Sequence, residues 1–124
     1  MIKNLRKFMK RENRHVGLFF RAAKAYVDYQ PKGVIGIMAP WNYPLSLTLI
    51  PLATALAAGN RAIIKPSELT PRTSSLIKQL IEEAFEPEEV AVIIGGADVG
   101  AEFSHQPFDH LLFTGSTPVG HKVM

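Results

Sequence analysis

Along residues 34–124 the apolar positions switch repeatedly between short unbroken runs and helical stripes. Val34-Ile35-Gly36-Ile37-Met38 is a continuous apolar run, the pattern of a strand covered on both faces. Leu45 to Ala58 follows as a helix that is apolar nearly all round, which predicts burial on more than one side. Pro51 inside it removes a backbone hydrogen bond and predicts a kink, and Gly59-Asn60 closes it. Ala62-Ile63-Ile64 makes a second strand ending at Lys65-Pro66. Thr70-Pro71 reads as a helix start, with threonine as cap and proline in the first turn. The stripe behind it holds Leu76, Ile77, Leu80, Ile81, Ala84 and Phe85, opposite Lys78, Glu82 and Glu83. Val90 to Ile94 is a third strand ended by Gly95-Gly96. A short helix near Val99 to Ser104 precedes a fourth strand, His110 to Phe113, and residues 114–118 turn the chain into a last helix.

Strand–helix–strand repeated in this way predicts an α/β fold, a parallel Rossmann-like sheet with right-handed crossovers and flanking helices. Ligands of such sheets sit beyond the carboxyl ends of the strands, so the loops Ala39 to Pro44, Lys65 to Glu68, Gly95 to Asp98 and Thr114 to Gly120 should line one edge. The first thirty residues differ. Ile2, Leu5, Phe8 and Met9 share one helical face, with Lys3, Lys7, Lys10 and Arg14 elsewhere. Ala23 to Gln30 alternates with period two, which predicts a half-buried strand. A last helix of about two turns and uncovered sheet edges are marginal features, and the expectation is a piece of something larger.

Composition and charge narrow the class. The chain is 47% hydrophobic and 20% charged, a globular balance that excludes a wholly disordered chain. Residues 1–32 carry nine Lys or Arg against Glu12 and Asp28, a balance of +7, while residues 33–124 stand at −4. Two regions are therefore expected, 1–32 and 33–124, meeting at Pro31-Lys32-Gly33. There is no cysteine, which excludes a disulfide scaffold, a thiolate zinc site and a thiol nucleophile within these residues. No apolar run is long enough to cross a bilayer and no signal-peptide core follows the basic start, so the expected location is cytoplasmic.

Three segments carry candidate chemistry. Gly115-Ser116-Thr117-Pro118-Val119-Gly120 has the outline of a dinucleotide turn, with threonine in place of the central glycine of G-x-G-x-x-G. It follows a strand and opens a helix, where free N–H groups favour an anion; the alternative is a plain glycine turn. Lys65-Pro66-Ser67-Glu68 sets a cation beside a carboxylate, which suits either a solvated turn or a ribose: Glu68 accepts from a diol and repels a 2′-phosphate, and Lys65 donates to hydroxyls. Pro40-Trp41-Asn42-Tyr43-Pro44 holds an asparagine between two prolines. It is either an oxyanion donor or an aromatic-rich turn whose asparagine satisfies its own backbone.

In order and spacing, residues 36–44 (Gly-Ile-Met-Ala-Pro-Trp-Asn-Tyr-Pro), 65–68 and 113–117 resemble the coenzyme-binding part of the aldehyde dehydrogenase superfamily. The likeness is to the class-3-like branch that includes coniferyl aldehyde dehydrogenases. The resemblance spans nearly the whole chain and about a quarter of a full member. It implies oxidation of an aldehyde, coniferyl or another aromatic or aliphatic one, to a carboxylate with NAD, relatives of the branch also taking NADP. By the same resemblance Asn42 helps form the oxyanion hole, and Trp41 with Ala39 and Pro40 lines the nicotinamide side of the cleft. Lys65 and Glu68 hold the adenosine ribose, and Gly95 lies near the adenine and pyrophosphate. Ser116, with Gly115 and Val119, sits against the pyrophosphate, and Met38, Ser67, Thr114 and Gly120 are further cofactor-binding residues. It further implies that residues 23–30 belong to an oligomerisation region, that the complete enzyme is a homodimer, and that the cysteine nucleophile and glutamate base lie downstream. The 124 residues alone are then expected to be inactive.

Other readings are weaker. His105 and His110 are five apart with Pro107 between them, so no metal is expected. No G-x-S-x-G elbow occurs, which argues against a serine hydrolase. Arg6, Lys7, Lys10, Arg11 and Arg14, with Phe8 as a stacking group, could serve a nucleic acid or an anionic surface; a solvated helix face is preferred and no nucleic-acid partner is expected. The competing class is a non-catalytic nucleotide-binding or interaction module.

Overall fold

Short β-rich runs and long helical stripes sort this chain into two units, Met1–Pro31 and Lys32–Met124. The computed structural model describes residues 2–124. The side chains of Ile2, Lys3 and Phe8, placed above on the faces of the first helix, lie outside the described residues.

The first unit holds α1 (Ile2–Phe8), β1 (Glu12–Arg14), a 3₁₀ turn at Leu18–Phe20 and β2 (Ala25–Val27). β1 and β2 pair antiparallel, with Asn13 opposite Tyr26. Where one half-buried strand of eight residues was expected, there are two of three residues each, and only Val27 of β2 is partly covered. The alternating pattern is real, but the strands of the two-stranded ribbon are short and among their described residues only Val27 is partly covered. Arg11 donates through Nε and Nη2 to both oxygens of Asp28 at 2.7 Å, and its guanidinium stacks 3.8 Å from the centre of the Tyr26 ring. Glu12 accepts from Arg14 at 2.6 Å and from the Tyr29 hydroxyl at 3.0 Å. Two members of the basic cluster are thus ion-paired rather than free.

In the second unit β3 (Val34–Met38), β4 (Arg61–Lys65), β5 (Val90–Val92) and β6 (His110–Phe113) form a wholly parallel sheet in the order β5-β4-β3-β6. Between them run α2 (Pro44–Ala57), α3 (Pro71–Ala84) and α4 (Ala97–Ser104), and α5 (Thr117–Val123) follows β6. The alternation of strand residues builds the core in rows: Val92, Ile64, Ile37 and Leu112 stand side by side, then Val90, Ala62 and Ile35. Leu52 and Ala55 of α2 and Ile77 and Ile81 of α3 close over these rows. On the opposite face Gly36 leaves room for Phe108, whose ring meets that of Phe103 on α4 at 4.7 Å.

Three local expectations are corrected. α2 is buried along one stripe, Thr48, Leu52 and Ala55, and exposes Leu45, Leu49 and Ile50, because among the described residues the parallel sheet and α3 cover it on one side. Thr70 precedes α3 but its hydroxyl caps nothing and is buried without a partner among the described residues; Ser74 occupies the inner stripe instead, and Leu76 and Leu80 are about half exposed. β5 stops at Val92, since beyond the Ile93 N–H bond to the Ile64 carbonyl (2.8 Å) the chain leaves the ladder. α2 continues unbroken through Pro51.

The amino end of the sheet is tied by Asn60. After α2, Gly59 takes φ 81°, which glycine adopts without steric cost, and this swings Asn60 back. Its Oδ1 accepts from the backbone of Lys32 (2.6 Å) and Gly33 (3.0 Å), while Nδ2 donates to the Ala55 carbonyl at 3.1 Å. Asn60→Ala is expected to cost about 1–2 kcal/mol through these lost bonds, read as a lower urea midpoint at constant m-value.

Candidate functional site

A parallel sheet puts every strand's carboxyl end on one rim, so the four connections that follow β3, β4, β5 and β6 emerge together. Pairing extends past the strands: the Ala39 N–H donates to the Lys65 carbonyl and the Thr114 N–H to the Met38 carbonyl, each at 3.1 Å. The spatial order along the rim is the Gly95 loop, the Lys65 turn, the Asn42 loop and the Ser116 turn, spaced by about 5 Å per strand.

Met38 and Ala39 carry the chain out of the sheet, Met38 partly and Ala39 fully covered, and Pro40 begins the turn. Tyr43 then takes φ 48°, ψ 48°, the one left-handed non-glycine among the described residues, a conformation that costs an L-residue about 1–2 kcal/mol. The bend delivers Pro44 into the first turn of α2 and leaves Trp41, Asn42 and Tyr43 exposed. Asn42 is exposed, and among the described residues its amide has no hydrogen-bond partner.

Lys65 is the sharpest feature of the rim. Its side chain is only 4% exposed. The aliphatic stem lies against Gly100 of α4, where a Cβ would come within 3.3 Å of the lysine Cε, with the Met38 methyl close by. The Nζ lies under the turn, donating to the Pro66 carbonyl at 3.3 Å and to Glu68 Oε2 at 3.2 Å. Glu68 is 44% exposed, and its carboxyl is held below the ordinary glutamate range, chiefly by its own backbone N–H and, against some desolvation, by Lys65. The carboxylate therefore favours folding above the unfolded glutamate pKa, a contribution lost as the pH falls through the lowered value. Ser67 between them is buried, and its Oγ accepts from the Leu69 N–H at 3.2 Å.

Gly95 and Gly96 lead into α4, and a Cβ on Gly95 would lie 2.5 Å from the Val99 side chain. At the last turn Ser116 precedes α5, whose Gly120 N–H donates to the Ser116 carbonyl at 2.9 Å. Gly115 lies over the Phe113 ring, 2.5 Å from where its Cβ would stand. Gly115, Ser116 and Val119 are exposed, and Thr114 and Gly120 are half-covered. Residues 38–42, 65–68, 95 and 114–120 thus share the rim. Sequence reasoning missed Gly100 and Ser74; a glycine inside a predicted helix, where it costs about 1 kcal/mol, was the available signal for the first.

Comparison with known proteins follows the same segments. The family model "Aldehyde dehydrogenase family" matches residues 1–124. A probable coniferyl aldehyde dehydrogenase of Pseudomonas aeruginosa is 56% identical over 122 residues, covering 98% of this chain and 26% of that protein. The solved structure of Staphylococcus aureus AldH in a substrate-bound state superposes with a TM-score of 0.95 at 45% identity, covering 98% of this chain and 26% of that one. A Mycobacterium tuberculosis aldehyde dehydrogenase complexed with NAD+ gives a TM-score of 0.75 at 34% identity, covering 91% and 23%. The chain spans about a quarter of the length of these relatives.

Proposed function

This chain belongs to the aldehyde dehydrogenase family, and from that premise we propose that it supplies the cofactor berth and the oxyanion donor of an enzyme that converts an aldehyde, NAD+ and water to a carboxylate and NADH. Coniferyl aldehyde, or another aromatic or aliphatic aldehyde, is the substrate class, by similarity to the Pseudomonas aeruginosa relative. The observation that carries the reading is the Lys65–Glu68 pair, a buried-stem cation against a half-exposed carboxylate at the carboxyl rim of a parallel sheet.

The donor set fits a nucleotide. The Lys65 ammonium has three protons and two are engaged, which leaves one for a ribose hydroxyl. Glu68 keeps exposed lone pairs for the neighbouring hydroxyls, and its charge disfavours a 2′-phosphate, so NAD is preferred over NADP. Ser67 stiffens the turn, Gly95 flanks the adenine side, and Thr114, Gly115, Ser116, Val119 and Gly120 offer backbone to the diphosphate. Met38, Ala39, Pro40 and Trp41 shape the nicotinamide side. When bound, the cofactor supplies the hydride acceptor.

Asn42 donates its side-chain N–H to the oxygen that becomes negative as the carbonyl carbon turns tetrahedral. The nucleophile cannot come from residues 1–124, which hold no cysteine; a thiol and a carboxylate base from outside them complete the reaction, and these residues alone do not turn over. Residues 1–32 serve oligomerisation, residues 33–124 are the partial nucleotide-binding domain, and the complete enzyme is a cytoplasmic homodimer.

The test is steady-state kinetics on the product of the complete reading frame with aldehydes and both cofactors. Glu68→Gln is expected to raise the NADP-to-NAD ratio of kcat/KM about tenfold, equivalent to about 1.4 kcal/mol of removed like-charge repulsion. An unaltered ratio removes Glu68 from ribose recognition. Absence of aldehyde-dependent NAD reduction in the complete product returns the chain to the class of non-catalytic nucleotide-binding modules.

A further inference from the structure

We infer that Ser74, on the inner face of α3, is a positioning residue for the Lys65–Glu68 turn and so controls how the ribose of the cofactor is held. The inference rests on the assignment of that turn made above.

Ser74 is 1% exposed, on the helix stripe that Ile77 and Ile81 continue under the sheet. A hydroxyl in such a place needs a partner. It has one outside its own helix: Oγ donates to the Ser67 carbonyl at 2.8 Å, seven residues back. The other donor to that carbonyl, the Thr70 N–H, is distant at 3.4 Å, so the Ser74 bond is the firmer hold. The Ser67 carbonyl and the Glu68 N–H belong to one planar peptide unit. That N–H is the leading influence on the Glu68 carboxyl, and the carboxylate meets Lys65 Nζ at 3.2 Å. Rotation of this peptide plane therefore moves the backbone of Glu68, from which the carboxylate reaches Lys65. Ser74 grips its opposite edge from the core, where no solute reaches it.

The arrangement separates binding from chemistry. Loss of the hydroxyl frees the peptide plane at the ribose turn and leaves the Asn42 loop, on the neighbouring strand end, unaltered. In the product of the complete reading frame, Ser74→Ala is expected to raise KM for NAD about threefold to tenfold, the size of one net hydrogen bond, with kcat and the aldehyde KM within about twofold. Ser74→Cys fills nearly the same volume with a weaker donor and gives an intermediate KM, and Ser74→Thr, which keeps the hydroxyl, restores it. A purely structural role lowers the melting temperature of Ser74→Ala and leaves KM for NAD unmoved. An unmoved KM in Ser74→Ala, or in Ser74→Cys if the alanine variant does not fold, overturns the inference. If Glu68→Gln still shifts cofactor preference in that case, the ribose assignment stands without Ser74. If neither variant moves a cofactor parameter, both fall.

Discussion

Asn42→Ala is expected to lower turnover of the complete enzyme about 10²-fold or more while changing KM for the cofactor little, the signature of a donor used only as charge develops. The expectation follows from how the side chain is held. Pro40 and Pro44 restrict the backbone on either side, and the left-handed Tyr43 fixes the bend between them. The amide reaches the carboxyl rim without an intramolecular partner among the described residues, so its N–H groups need no rearrangement before they meet an oxyanion. An alanine keeps the turn and deletes the donor. Asn42→Asp is a harsher variant, since it places a negative charge where negative charge must form. Wild-type turnover in the alanine variant would falsify the oxyanion assignment and return the segment to a structural turn.

The largest effect on stability is expected at Ile64. It is fully buried in the second strand from one edge of the sheet, paired in register with Ile37 on one side and Val92 on the other. Ile64→Ala should cost about 2–5 kcal/mol, since the lost transfer free energy adds to a cavity that a paired strand cannot collapse. The readout is the guanidinium midpoint at constant m-value. A cost under about 1 kcal/mol would mean that Leu52 and Ile77 settle into the space, and that the rows of side chains are looser than their burial implies.

Much of the architecture is legible in the residues because its causes are local. The run from Val34 to Met38 is continuous and apolar, and β3 covers those five residues; His110 to Phe113 likewise marks β6. Gly59 ends α2 because the bend needs a positive φ, and Pro71 opens α3 because the first turn needs no N–H there. The rim residues were findable for the same reason. Once the strands are parallel, every loop after a strand must emerge on one edge.

The errors have a common origin. The periodicity of residues 23–30 announces a face to be buried but not the layer that buries it, and here β2 is a short exposed ribbon strand beside a partner the pattern did not mark. The uniform hydropathy of α2 indicated burial all round, yet only the stripe of Thr48, Leu52 and Ala55 is buried and Leu45, Leu49 and Ile50 stay exposed. Thr70 has the residue type of a cap, but its backbone sits at φ −124° and ψ 60° and its hydroxyl makes no bond to the helix amides.

By itself the sequence determined the kinds of element, their succession and the edge on which the chemistry gathers, since hydrogen-bonding period, turn stereochemistry and crossover handedness act over a few residues. Only the tertiary structure decided the order β5-β4-β3-β6, the one-sided burial of α2, the lysine stem laid against Gly100, and the bond from Ser74 to the Ser67 carbonyl. Those depend on which distant surfaces exclude water together, and a side chain's hydropathy states that it is to be covered without stating by what.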